Sequence, residues 1–121
     1  MRKLWLAILL LSVTRSQGQN ALYNMIDASE VAGITAAFYA STDDTMRLGM
    51  ARALINYYSE RNADSAIHYS NATMEIANRR NFPLWKAAAY YSLAYFARSN
   101  QNFAGAFQYY SQGEAIANDV S

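Results

Sequence analysis

Acid–base, nucleophilic or metal chemistry needs reactive side chains brought within reach of one another, and this chain offers few. His68 is the single histidine and cysteine is absent, so the usual His and Cys zinc ligand sets cannot be assembled. Between Ile67 and Tyr69, with no partner at metal-binding spacing, His68 is expected to be a solvated helix-edge residue. Asp43 and Asp44 are an adjacent carboxylate pair. Ahead of a helical pattern such acids serve as caps and dipole partners, because the first N–H groups of a helix are unpaired and partly positive. The glycines at 18, 33, 49, 105 and 113 are isolated, so no glycine-rich loop cradles a phosphate. Asn71-Ala-Thr73 matches a glycosylation acceptor, but it falls within a helical pattern and is read as a chance match. No catalytic residue, metal ligand or cofactor site is assigned, and the expectation is binding rather than catalysis.

Ten tyrosines in 121 residues provide the chemistry of recognition instead. Tyrosine offers contact area and a hydrogen bond at low entropic cost. What must position these rings is an internal repeat. Asn62, Ala66, Tyr69, Ile76, Ala77 and Asn78 return 40 residues later as Asn102, Ala106, Tyr109, Ile116, Ala117 and Asn118. A repeat of this length, rich in Ala and Tyr and without strand-like alternation, is the signature of stacked helical hairpins. The fold class expected is all-α, with about five helices after an N-terminal signal segment.

The punctuation places those helices. A first is predicted over residues 22–39, with Leu22, Met25, Ile26 and Phe38 apolar, weakened by Gly33 and β-branched Val31, Ile34 and Thr35. Ser41-Thr-Asp-Asp44 supplies cap-forming oxygens, and a second helix follows from near Thr45. Glu60-Arg-Asn62 breaks it. Asn62 then caps a third helix running to about Asn78, with Ala66, Ser70, Thr73 and Ala77 as a small-residue face and Arg79 and Arg80 at its negative end. Pro83 suits the first turn of a fourth helix, since its missing N–H would be unpaired there. Residues 87–97 are apolar or aromatic almost all round, which implies burial on more than one side. A fifth helix from Phe103 to near Ala117 presents Phe103, Ala106, Phe107, Tyr110 and Ala117, with Gly113 weakening it by about 1 kcal/mol relative to Ala.

These residues resemble the tetratricopeptide repeat family, whose unit is two antiparallel helices in a short solenoid. The second unit carries the resemblance with Tyr90, Leu93, Ala94, Phe103, Ala106 and Tyr110, and the first with Met50, Ala53, Leu54, Tyr57 and Ala66. Both depart from the pattern: Ser70 and Thr73 stand for an aromatic and Ala, Ala97 for Tyr, Gly113 for Ala, and Asn78 and Asn118 for the closing Pro. The resemblance implies a repeat core of Met50, Leu54, Tyr57, Ala66, Tyr90, Leu93, Ala94, Phe103, Ala106 and Tyr110. It also implies a concave, partner-binding groove lined by Ile55, Tyr58, Tyr91, Tyr95 and Arg98. The clamp that some members use for acidic C-terminal tails is missing, with Ala51, Ile55 and Ser92 where Lys, Asn and Asn are needed.

At the N-terminus, Arg2 and Lys3 precede the apolar run 4–11, and Ser16-Gln-Gly18 offers a cleavage region. That is the plan of a secretory signal peptide, and eight apolar residues are well short of the roughly 20 a spanning helix needs. The expected organisation is a signal peptide at 1–18, an N-terminal helix and linker at 19–44, and two repeats at 45–81 and 82–121, the array being truncated. Signal removal leaves seven basic against nine acidic side chains, with no basic stripe to follow a phosphate backbone. Nucleic acid is therefore not expected, nor a membrane span after signal removal; the partner expected is protein or peptide, with self-association or further repeats covering exposed flanks. Behind an export signal the pattern is similar to the extracytoplasmic repeat region of bacterial sensor proteins, which implies a periplasmic or extracellular sensory or assembly segment. A freestanding periplasmic scaffold and a small-ligand carrier are the alternatives.

Overall fold

Asp27 decides where the first helix begins. In the computed structural model, which describes residues 26–120, its carboxylate accepts from the Ser29 N–H at 3.0 Å and α1 runs from Ala28 to Ala40. The start expected at Leu22 is thus corrected, because Ile26 and Asp27 are non-helical and an acidic cap satisfies the first free N–H groups. The signal segment at 1–18, and Leu22 and Met25, lie outside the described residues.

The other helices follow their caps. Asp43 Oδ1 accepts from the N–H groups of Thr45 and Met46 at 3.0 and 3.3 Å, opening α2, Asp44–Tyr58. Asn62 Oδ1 accepts from Ser65 N–H at 3.2 Å and opens α3, Ala63–Arg80. Pro83 occupies the first turn of α4, Pro83–Ser99, whose cap residue Phe82 makes no side-chain bond. Asn102 Oδ1 accepts from Gly105 N–H at 3.0 Å at the head of α5, Phe103–Val120. The fifth helix therefore passes the expected end at Ala117 by three residues; no Gly or Pro follows Gly113 to stop it. Replacing Asn62 or Asn102 by Ala is expected to cost about 1 kcal/mol each, measured as a lowered thermal midpoint. No loss at Asn102 alone would mean that the two repeat units do not share a capping device.

Among the described residues there are five helices and no strand, and each packs mainly on its neighbours in the chain: α1 on α2, α2 on α3, α3 on α4, α4 on α5. The connections are too short to do otherwise. Two of them use left-handed residues, Asn81 at φ 55° and Gln101 at φ 63°. There the N–H of Phe82 reaches back to Ala77 O and that of Asn102 to Ala97 O, at 2.9 and 2.8 Å, which satisfies carbonyls that the helix end leaves open.

The core is centred on Phe38, Leu48, Leu54, Ile76 and Phe96, with Ala51 and Ala66 fully enclosed. The small-residue face of α3 is buried throughout: Ala66, Ser70, Thr73 and Ala77. Its hydroxyls do not go unpaired, because Ser70 Oγ donates to Ala66 O and Thr73 Oγ1 to Tyr69 O, both at 2.9 Å. Of the expected repeat core, Leu54, Ala66, Ala94 and Ala106 are buried, whereas Met50, Tyr57, Tyr90, Leu93 and Tyr110 are half-buried. Phe103 is corrected outright. It is 66% exposed, because α5 rests chiefly on α4 and its inward side is made by Ala106 and Gly113. The matched residues of the repeat show the same asymmetry: Tyr69, Ile76 and Ala77 are buried, while Tyr109, Ile116 and Ala117 are half-buried. Among the described helices α3 packs on both α2 and α4, whereas α5 packs chiefly on α4.

Candidate functional site

On α4 the residues Tyr91, Tyr95 and Arg98 recur at four- and three-residue spacing and so share one stripe. Tyr91, 36% exposed, lies beside Tyr110 of α5 with ring centroids 6.2 Å apart and planes tilted by 40°. Gly113 makes room for it, since a Cβ there would stand 2.9 Å from Tyr91 Cε1. The glycine that weakens α5 locally is thus the point where a ring from α4 closes onto it. Tyr95 reaches in the other direction, its O–H donating to Glu60 Oε1 at 2.9 Å and its ring meeting Phe96 edge-on at 5.2 Å. The Glu60 carboxylate accepting that bond raises the Tyr95 phenol above its ordinary range, since a second negative charge beside it disfavours phenolate. Arg98 is exposed at the end of the helix and makes no ion pair among the described residues.

The five residues expected to line one groove do not share one face. Ile55 is buried in the core. Tyr58 is half-buried and stacks on Tyr69 of α3, with centroids 6.2 Å apart and planes within 6°. Helical spacing correctly put them on α2 but could not say which neighbour they meet. What remains is the α4 stripe, with Tyr91 and Arg98 exposed and Tyr95 half-buried against the core, bordered by Glu60 beyond α2 and Tyr110 on α5. Glu60 was missed because it sits at a helix break, where periodicity carries no information.

The residues weighed for chemistry have structural partners. His68 is exposed, its Nε2 is 2.8 Å from the Tyr39 hydroxyl, and its ring meets Tyr69 edge-on at 4.9 Å, which ties α3 to α1. Asp43 is the α2 cap. Asp44 pairs with Arg79 at the far end of α3 at 2.9 Å and with Arg47 at 3.4 Å. In the glycosylation-like triplet, Asn71 is exposed but Thr73 is buried. No group of three or more His, Cys, Asp or Glu side chains that could hold a metal occurs among the described residues, and no described helix is long and apolar enough to cross a membrane.

Hydrogen bonding from the Arg79 guanidinium holds the Asp44 carboxyl below its ordinary range, with the charges of Arg79, Arg80 and Arg47 adding to it. A depressed folded-state value gives a contribution that is present above the unfolded-state value and lost as pH falls through the folded one. The thermal midpoint should therefore fall on acidification below about pH 4, and Asp44→Asn should flatten that acid limb. An acid limb unchanged in Asp44→Asn would remove Asp44 from the account.

A cleft of about 250 Å³ opens at the turn between α3 and α4, lined by Ala77, Asn81, Phe82, Lys86, Ile116 and Val120 among others. It lies below the roughly 300 Å³ at which small-molecule sites begin. Comparison of this chain with protein-family models, with curated proteins and with solved structures finds no match.

Proposed function

We propose that this chain is a binding module of the tetratricopeptide kind that takes a protein or peptide along α4, and that it serves as the sensory or assembly segment of a larger exported bacterial signalling protein. The observation that carries the binding proposal is the stripe Tyr91, Tyr95 and Arg98, two aromatic rings and a cation that makes no ion pair among the described residues, on the helix that packs against both α3 and α5. Aromatic rings and arginine are the side chains that most often anchor protein interfaces. Glu60, held by Tyr95, adds an acceptor for backbone N–H groups or a basic side chain. The exported and signalling parts of the proposal rest on residues 1–18 and on the family resemblance.

Selection of phage-displayed random peptides on the full chain tests the binding proposal. Peptides should be enriched that lose about tenfold or more in affinity against Tyr95→Ala and Arg98→Glu. Enriched peptides indifferent to both variants, or none at all, would remove the α4 stripe as the binding surface.

A further inference from the structure

The cleft at the turn between α3 and α4 exists because the repeat changes there. Ser41 and Asn81, 40 residues apart, end α1 and α3, and their N–H groups reach back to the carbonyls of Ala37 and Ala77. The register of the repeat therefore extends to α1. In the first unit the corner between the end of α1, the start of α2 and the end of α3 is closed. Phe38 is 1% exposed, the Arg47 guanidinium stands 4.8 Å from its ring centroid, and Arg79 reaches Asp44 at 2.9 Å. In the second unit the counterparts of Phe38, Arg47 and Arg79 are Asn78, Ala87 and Asp119. Ring, guanidinium and bridging arginine are all replaced by shorter side chains, and the corner stays open by about 250 Å³.

The lining decides what the cleft can hold. About 150 Å³ is enough for benzene, so there is room for one ring or branched alkyl group with a polar head, though not for a drug-sized molecule. Phe82, Ile116 and Val120 give apolar walls, and the charged residues of the lining are one of each sign, Lys86 and Asp119. Neither makes an ion pair among the described residues. Lys86 is half-buried in the first turn of α4, which no side chain caps, so positive potential gathers on its side of the cleft. Asp119, exposed on α5, supplies the negative charge. A ligand that satisfies this lining has an anionic group, a cationic group and an apolar body.

We propose that this cleft binds a free α-amino acid with a large apolar side chain. Its carboxylate meets Lys86, its ammonium meets Asp119, and its side chain lies against Phe82, Ile116 and Val120. A zwitterion pairs both charges of the lining at once, which a simple acid, a simple amine or one end of a peptide does not. The cleft shares no residue with the α4 stripe, so this proposal and the peptide-binding one fail separately.

Isothermal titration of the full chain with L-phenylalanine and with L-leucine is the test. Saturable binding with a Kd at or below about 1 mM is expected. Phenethylamine, which lacks the carboxylate, and 3-phenylpropionate, which lacks the ammonium, should each bind about tenfold or more weakly than phenylalanine. In Lys86→Met the penalty for phenethylamine should disappear, and in Asp119→Asn that for 3-phenylpropionate, because each variant removes the charge that the analogue fails to meet. Asn78→Phe, which places the first unit's ring at an exposed position, should abolish binding with helical circular dichroism retained. No saturation by either amino acid up to about 10 mM would overturn the proposal. So would analogues that bind as well as phenylalanine, or binding that Asn78→Phe leaves intact.

Discussion

Phe38→Ala is expected to cost about 3–5 kcal/mol, the usual range for emptying a buried aromatic site. Phe38 is 1% exposed and meets Tyr69 edge-on at 5.4 Å and Tyr39 at 5.0 Å. The Arg47 guanidinium stands 4.8 Å from its ring centroid, and Arg47 Nε donates to the Phe38 carbonyl at 3.2 Å. One residue of α1 thus touches both α2 and α3. Against a total stability of roughly 5–15 kcal/mol for a domain of this size, a loss of that order should lower the thermal midpoint by more than about 10 °C. It should also release α1 from the stack. An unchanged midpoint would mean that α1 contributes nothing to the core.

Ala66→Leu comes next, at about 1–3 kcal/mol from overpacking. Ala66 is fully enclosed on a helix that packs on both α2 and α4, so a larger side chain has no direction in which to relax. Its repeat counterpart Ala106 is 4% exposed on a helix with one main neighbour, and Ala106→Leu should cost less. Thermal unfolding of both variants gives the comparison. Equal midpoint losses would show that α5 is as confined as α3, and no loss in either would show that the repeat register is wrong.

What sequence alone makes legible here is what is local. Asn62 and Asn102 mark helix starts because each side-chain oxygen accepts from an N–H within one turn, and Pro83 because it has no N–H to leave unpaired; all three stand at helix starts in the structure. The all-helical class follows from the same local signals. The choice of neighbour is not local. Ile55, Tyr58, Tyr91 and Tyr95 carry no mark that says which adjacent helix each will meet, and the structure sends them in different directions: into the core, onto Tyr69, onto Tyr110 and onto Glu60. The resemblance assigns Phe103 to the core by its place in the repeat pattern, and the structure leaves it exposed because α5 rests chiefly on α4. Gly113 reads from sequence as a weak point and acquires its purpose only when Tyr91 lies over it.

Packing each helix chiefly on its chain neighbours also governs how quickly the stack assembles. Among the described helices the main pairings join chain neighbours, so the loop-closure entropy opposing each docking step is small. Helical proteins with such low contact order fold in about microseconds to milliseconds. Opening should begin at α1 and α5, because each has one main packing neighbour among the described helices while the inner helices have two. Amide hydrogens of α3 should then exchange last, and those of α5 should be replaced by solvent while α3 is still protected.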